Sequence, residues 1–193
     1  MSASSVLTGI DIFRPLDLAE IFRRSAPVHI DIGAGAGSFI VEQARRHPEA
    51  DFLAVERLLG RVRSTENKAK RLALSNLRIL RLDGSWVVKH MLPDDSVTCF
   101  YLSFPDPWPK RRHHTHRIVN SEFVTAICRA LITGGEWRIV TDHEDYFRAM
   151  IAEASKVLTR TTWPEELEPP KTDFEKHFLE KEHPIHRARF VKA

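Results

Sequence analysis

The sequence has few cysteines and no long hydrophobic run. Cys99 and Cys128 are the two cysteines among 193 residues, and they lie far apart, which excludes a disulfide-rich scaffold and disfavours a thiolate zinc site. No stretch reaches the roughly 18 apolar residues that a membrane-spanning helix needs. The first residues also lack the basic start and apolar core of a signal peptide. We therefore expect a cytoplasmic protein with no membrane contact and no metal site.

The composition is that of a folded globular protein. Hydrophobic residues make up 42% and charged residues 28% of the chain, so disordered, collagen-like and low-complexity classes are excluded. The length suits one domain covering residues 1–193, with residues 1–14 a flexible segment and residues 164–175 a surface loop. Whether the chain is a monomer or a homodimer is left open by the sequence.

Short apolar runs alternate with longer helical patterns along most of the chain. The predicted strands cover residues 28–32, 51–55, 77–82, 97–104, 136–140 and 187–191. The predicted helices cover residues 37–47, 57–74, 118–131 and 145–158, with a short one near 86–91. This alternation predicts an α/β fold: a mostly parallel central sheet with helices on both faces and an antiparallel edge strand from the C-terminal tail.

A glycine-rich turn joins the first predicted strand to the first predicted helix. In HIDIGAGAGSF, Asp31 ends the strand and Gly33, Gly35 and Gly37 follow it, so the backbone can turn tightly and approach a ligand closely. The spacing G-x-G-x-G differs from the dinucleotide fingerprint G-x-G-x-x-G. It favours S-adenosylmethionine over NAD as the ligand, and a glycine-rich turn without a ligand is the alternative.

Acidic residues close the next two predicted strands. Glu56 suits the two hydroxyls of a ribose, because one carboxylate accepts both hydrogen bonds, and Asp83 suits the exocyclic amine of adenine. Taken singly, each has the simpler interpretation of a solvated carboxylate at a strand end. Ligands of open α/β sheets bind at this edge, and the succession of acids there favours the cofactor-binding interpretation.

The segment SFPDPWPKRRHHTHR follows the strongest strand signal in the chain. Prolines on both sides of Asp106 predict a stiff loop that holds this carboxylate at the sheet edge, which is typical of an active site. The segment continues with residues suited to RNA: Trp108 for base stacking and, for phosphates, Lys110, Arg111, Arg112 and Arg117, interleaved with His113, His114 and His116. Residues 105–117 contain four Lys/Arg and one acid, a local +3 that equals the net charge of the whole chain. A solvated basic face is the alternative.

Two weaker motifs lie nearer the C-terminus. Asp142 follows Thr141 at the end of the fifth predicted strand, and TDFE occupies residues 172–175. Each has a simple structural interpretation: Asp142 as a helix cap, and Thr172 with Glu175 as a capping box.

Together these motifs resemble, in order and spacing, those of bacterial tRNA (guanine-N7-)-methyltransferases; FPDPWPK is the most specific of them. The resemblance implies a Rossmann-like class I methyltransferase fold, S-adenosylmethionine as cofactor, and the guanine at position 46 of the tRNA variable loop as substrate. It implies cofactor contacts at the glycine loop and at Asp31, Glu56, Asp83 and Asp106. It implies substrate contacts at Lys110, Asp142, Thr172, Asp173, Phe174 and Glu175.

The chain departs from the family pattern in two places. His114, Thr115 and His116 stand where the family usually has asparagine and further basic residues, and Asp173 stands where it usually has lysine. Both changes reduce the positive charge expected to hold RNA phosphates.

The chemistry implied is direct methyl transfer. Guanine N7 carries a free lone pair that is not used in Watson–Crick pairing, so no base is needed, and Asp106 is the candidate catalytic residue. The alternatives are methylation of another RNA substrate by the same fold and an RNA-binding protein of this fold without catalysis. An NAD-dependent oxidoreductase is disfavoured by the glycine spacing.

Overall fold

A single mixed sheet organises the part of the chain that the computed structural model describes, residues 5–163 and 184–193. Its seven strands lie in the order β3-β2-β1-β4-β5-β7-β6. In chain order they are β1 Val28–Ile32, β2 Asp51–Val55, β3 Leu77–Leu80, β4 Val97–Ser103, β5 Leu131–Thr141, β6 Thr159–Thr161 and β7 His186–Val191. The first five are parallel to one another, and β7 runs antiparallel between β5 and β6. The fold prediction is confirmed, including the antiparallel strand from the tail. That strand, β7, lies one position in from the edge, because β6 pairs with its outer side.

The helices follow the strands as the alternating pattern predicts. They are α1 Leu18–Phe22, α2 Ser38–Arg46, α3 Leu59–Arg71, α4 Gly84–Trp86, α5 Ser121–Ala130 and α6 Glu144–Ala154, with a π-helical turn at Val87–Met91 and a 3₁₀ helix at Arg111–His116. Polar side chains set the starts of α5 and α6. Asn120 Oδ1 accepts a hydrogen bond from Phe123 N at 3.0 Å, and His143 Nδ1 accepts one from Tyr146 N at 3.2 Å. Such caps satisfy amides that the helix itself cannot.

The register aligns the carboxyl ends of the parallel strands. Ile32 at the end of β1 lies opposite Val55 of β2 and Leu102 of β4, and Val55 lies opposite Leu80 of β3. The turns that follow β1 to β4 therefore emerge side by side at one edge of the sheet, which we call the carboxyl edge. This is the edge at which open α/β sheets bind ligands.

Apolar side chains cover both faces of the sheet. Alternate residues of β4 separate onto the two faces: Phe100 and Leu102 lie in the core beneath α5 and α6, and Cys99 and Tyr101 lie in the core beneath α2 and α3. Continuous apolar strands are what a parallel sheet buried on both faces requires. The two cores hold the carboxyl edge in place while leaving its turns on the surface.

Several local features differ from the sequence-based expectations. Residues 5–7, inside the segment expected to be flexible, pair with β3: Leu7 N donates to Ile79 O at 2.9 Å and Ile79 N donates to Ser5 O at 2.8 Å. β5 is longer than the predicted 136–140, because residues before the Gly134 turn also pair with β4. The elements α1 and β6 lack the length or periodicity that would have revealed them. No helix in the described ranges has both the length and the apolar composition to cross a bilayer.

Candidate active site at the carboxyl edge

The glycine loop after β1 is built by its contacts with neighbouring elements. The amides of Gly33 and Ala34 both donate to Val55 O, at 2.9 and 3.0 Å, so the loop is fixed to the end of β2. Gly37 has a φ of 80°, in the left-handed region that favours glycine. A Cβ on Gly37 would lie 2.2 Å from Oγ1 of Thr65 in α3. Gly37 is therefore required twice, by its backbone angle and by the close approach of α3.

Two side chains of α3 hold the same loop, and sequence reasoning missed both. Lys68 Nζ donates to Ala36 O at 2.8 Å and to Ser38 Oγ at 2.6 Å, and Ser64 Oγ donates to Ala36 O at 3.3 Å. Ser64 and Lys68 are four residues apart, so they share one face of the helix. That spacing is the only signal in the sequence, and it does not identify the loop about 30 residues away as the partner.

Glu56 lies directly beside the glycine loop. Its carboxylate is 5% exposed, and it accepts hydrogen bonds from Gly35 N at 3.0 Å and Leu58 N at 2.9 Å. The guanidinium of Arg61 is 3.7 Å away. Glu56, the residue predicted to bind a ribose, is thus held by backbone amides at the junction of β1 and β2, beside the glycine loop; its contact with a ribose stays a prediction.

Asp31 is a buried carboxyl at the same junction. It is 3% exposed, and burial together with the negative charge of Glu56 raises the pKa of Asp31 to about 7. A buried anion of this kind is stabilised by a cationic partner. The electrostatics of the site therefore favour a ligand that brings a positive charge to Asp31.

Asp83 lies at the carboxyl end of β3 but also caps a helix. Its Oδ1 accepts a hydrogen bond from Trp86 N at 3.0 Å, at the start of α4. The next residue is glycine, and a larger residue would not fit there, since a Cβ on Gly84 would lie 2.6 Å from Cγ2 of Ile32. The side chain is exposed, so it remains accessible to a ligand at the edge.

The proline-rich loop after β4 is held in a strained, specific shape. Phe104 and Trp108 have φ values of 51° and 44°, which non-glycine residues seldom adopt. Phe104 N donates to Val140 O at 2.7 Å, which fixes the start of the loop to β5. Asp106 is exposed at its centre. Backbone strain of this kind clusters at functional sites, where surrounding structure maintains it.

Arg117 supports this loop from within the structure. Its Nε donates to Pro107 O at 2.8 Å, and its guanidinium lies 4.6 Å from the centre of the Tyr146 ring. Tyr146 is buried, and its hydroxyl accepts from Val119 N at 3.2 Å. Arg117, predicted as an RNA contact, thus has a bracing role that its position in a basic run did not reveal.

The basic run itself forms the 3₁₀ helix Arg111–His116. Lys110, Arg111 and Arg112 are exposed, and the Trp108 ring lies 5.9 Å from that of His113 and 5.0 Å from that of His116. An exposed group of aromatic rings beside cationic side chains is suited to stacked bases and phosphates.

Asp142 follows β5 at the same edge, but it is not the helix cap. His143 caps α6, and the half-buried Asp142 precedes it; the alternative interpretation of Asp142 as a cap is therefore wrong. The predicted residues Thr172, Asp173, Phe174 and Glu175 lie outside the described residues. The chain leaves β6 at Thr161 and re-enters the sheet at His186, opposite Thr141 at the end of β5.

The structure thus brings the predicted residues of five strand ends to one edge: the glycine loop with Asp31, and Glu56, Asp83, Asp106 and Asp142. Within residues 5–163 and 184–193, no three His, Cys, Asp or Glu side chains form a group that could hold a metal ion. The carboxylates are instead distributed along the edge, as in a site that binds an extended, polar and cationic ligand.

The chain is similar to known methyltransferases in sequence and in fold. A family model described as "Putative methyltransferase" matches residues 25–188. A curated tRNA (guanine-N(7)-)-methyltransferase from Nitrosomonas eutropha is 38% identical, over 93% of this chain and 82% of the relative. One from Alkalilimnicola ehrlichii is 38% identical, over 89% of this chain and 75% of the relative. The crystal structure of the 16S rRNA methyltransferase KamB shares the fold, with a TM-score of 0.68 at 12% identity over 92% of this chain and 93% of that one.

Proposed function

This chain belongs to the family of tRNA (guanine-N(7)-)-methyltransferases, and from that premise we propose that it transfers a methyl group from S-adenosylmethionine to N7 of guanine 46 in tRNA. The product is 7-methylguanosine in the variable loop. The observation that carries this proposal is the meeting of the glycine loop and the Asp106 loop at one edge of the sheet, within a chain of this family.

The residues at the edge fit S-adenosylmethionine. At Gly33 and Gly35 an added Cβ would meet nothing within 4 Å, so the loop leaves open space for a ligand against its backbone. The pKa of Asp31 is raised because its carboxylate is buried without a cationic partner among the described residues. The α-ammonium group of the cofactor would supply that positive charge. Each oxygen of Glu56 accepts one backbone hydrogen bond and has a second lone pair, which supports its proposed role with the ribose hydroxyls. The exposed Asp83 is our candidate for the adenine amine. The bound cofactor supplies an activated methyl group on a positively charged sulfur.

Asp106 is our candidate for the catalytic residue. N7 needs no deprotonation, so catalysis depends on holding it in line with the methyl carbon and on stabilising the charge that develops. Transfer makes the purine cationic, and a carboxylate beside it stabilises that charge while accepting hydrogen bonds from guanine N1–H and the amino group. The proline-rich loop, braced by Arg117 and Tyr146, holds Asp106 in place. Asp142, one strand away, is the second candidate.

The tRNA contacts extend from this loop. Exposed Lys110, Arg111 and Arg112 are suited to the phosphate backbone, and Trp108 is suited to stacking on a base. The family resemblance adds Thr172 to Glu175 as substrate contacts. We further propose that residues 1–193 act as one methyltransferase domain in the cytoplasm, where its tRNA substrate is found.

The test is methylation of tRNA that lacks 7-methylguanosine, with methyl-labelled S-adenosylmethionine and nucleoside analysis of the product. We expect label only in 7-methylguanosine. Asp106→Asn should lower turnover by about 100-fold or more, the range for loss of one preorganised electrostatic contact, while S-adenosylhomocysteine still binds in calorimetry. Asp145→Asn, an exposed acid at the start of α6, is the matched control and should keep wild-type turnover.

Label in any other nucleoside would reject the proposed substrate atom. Binding of tRNA without label, and without any calorimetric signal for S-adenosylhomocysteine, would support the non-catalytic alternative. Wild-type turnover in Asp106→Asn would remove Asp106 from the mechanism and leave Asp142 as the candidate.

A further inference from the structure

Three arginines gather at the carboxyl ends of β2 and β3, on the opposite side of the glycine loop from Asp106. Arg57 follows Glu56, Arg61 lies one helical turn further along, and Arg81 follows β3. Arg81 Nε lies 3.4 Å from the carbonyl oxygen of Arg57, and all three side chains are exposed. We call Arg57, Arg61 and Arg81 the β2–β3 arginine patch.

The charge of this patch is poorly compensated. Among the described residues, no carboxylate lies within ion-pair distance of Arg57 or Arg81, and both side chains are exposed. Arg61 has Glu56 at 3.7 Å. The uncompensated charge of the patch is therefore that of Arg57 and Arg81, whose guanidinium groups face solvent.

The proposed cofactor does not explain these arginines. Its one anionic group is the α-carboxylate, which lies at the methionine end beside the α-ammonium that we place at Asp31. Its adenosine end, which we place at Glu56 and Asp83 beside the patch, carries no negative charge. Guanidinium groups suit planar, bidentate recognition of carboxylates and phosphates. An anionic partner outside the cofactor pocket is what the patch fits.

The position of the patch identifies that partner. The sheet order places the ends of β2 and β3 two and three strands from the end of β4, which is about 10 to 14 Å at about 4.8 Å per strand. Both basic regions are on the carboxyl edge, one on each side of the glycine loop after β1. A polyanion that delivers a base to the pocket would pass over both.

We propose that the β2–β3 arginine patch binds the phosphate backbone of the substrate tRNA, as a second contact region opposite the basic loop that contains Lys110. The proposal rests on the proposed function, since it takes tRNA as the substrate. It extends the RNA-binding surface to residues on the other side of the glycine loop.

The test compares Arg57→Gln/Arg81→Gln with wild type, by tRNA binding at several salt concentrations. Each phosphate contact contributes about 0.9 to the slope of log affinity against log salt, or up to about 8-fold in affinity at 0.1 M salt. Loss of two contacts should lower the slope by about 2 and weaken binding by about 10- to 60-fold. Arg23→Gln/Arg71→Gln is the matched control, because both side chains are exposed and have no acidic partner among the described residues, and they lie at the ends of α1 and α3, away from the carboxyl edge. It should bind tRNA as wild type does.

Calorimetry with S-adenosylhomocysteine distinguishes this role from one in the cofactor pocket. Unchanged S-adenosylhomocysteine affinity in Arg57→Gln/Arg81→Gln, with weakened tRNA binding, supports the proposal. An unchanged salt slope overturns it, and so does an equal loss in the control variant or a parallel loss of S-adenosylhomocysteine binding. Wild-type protein that fails to methylate tRNA would reject the proposed function itself, which the methylation assay reveals before any variant is measured.

Discussion

Gly37 and Gly35 offer a direct test of how the glycine loop is held. Both have positive φ, 80° and 58°, but a Cβ on Gly35 would meet nothing within 4 Å, whereas one on Gly37 would lie 2.2 Å from Thr65 Oγ1. Alanine in the left-handed region costs about 1 to 2 kcal/mol, and overpacking costs a further 1 to 3 kcal/mol or so. We therefore expect Gly35→Ala to lose about 1 to 2 kcal/mol of unfolding free energy, and Gly37→Ala about 2 to 5 kcal/mol.

Urea unfolding of both variants measures the difference, and Thr65→Ala locates its cause. Removing Oγ1 and Cγ2 of Thr65 takes away the two closest atoms and leaves Cβ at 2.7 Å, so the double variant should recover about 1 kcal/mol in a double-mutant cycle. Gly35→Ala should instead weaken S-adenosylhomocysteine binding, because its methyl group points into the open space proposed for the cofactor. Equal destabilisation by the two alanines, or no coupling between residues 37 and 65, would refute this reasoning.

Two further predictions concern the same pocket. Burial and Glu56 raise the folded-state pKa of Asp31 to about 7, so its contribution to stability is fully present below about pH 4 and is lost as the pH rises towards 7. Urea unfolding at pH 5 and pH 8 should show this loss in the wild type and not in Asp31→Asn. An equal pH dependence of the unfolding free energy in both proteins would contradict the prediction. Lys68→Met should lower S-adenosylhomocysteine affinity several-fold, since Lys68 holds Ala36 and Ser38 in the loop. Lys70→Met, which removes an exposed pair with Glu66, is the control, and an equal effect of both substitutions would argue against loop support by Lys68.

Much of the site was predictable because its residues are local in the sequence. Glu56 and Asp83 come directly after apolar runs, and the ends of parallel strands must meet at one edge. The prolines around Asp106 likewise predict a stiff loop at the end of β4, and the structure has one there. These inferences need only the order of the elements and the rules of parallel sheets.

The supports of the site were not predictable in the same way. Lys68 contacts a loop about 30 residues away in the sequence, and the Arg117 guanidinium stacks on Tyr146 from another helix. In the sequence, Lys68 is indistinguishable from any other basic residue of an amphipathic helix. Arg117 is likewise indistinguishable from the other cations of the basic run. Their roles depend on which elements the sheet places side by side.

The distribution of positive charge shows where the limit lies. In the sequence, the net charge of +3 equals that of residues 105–117, because the basic and acidic residues of the rest of the chain are equal in number. In the folded chain, Arg117 is used to brace the loop, while Arg57 and Arg81 are left without acidic partners in the described residues.

The sequence alone determined the order of strands and helices, the acidic strand ends and the proline-rich loop, because these follow from local pattern. Only the tertiary structure decided which charges are paired and which face solvent, because ion pairing depends on distances between residues that the chain keeps far apart.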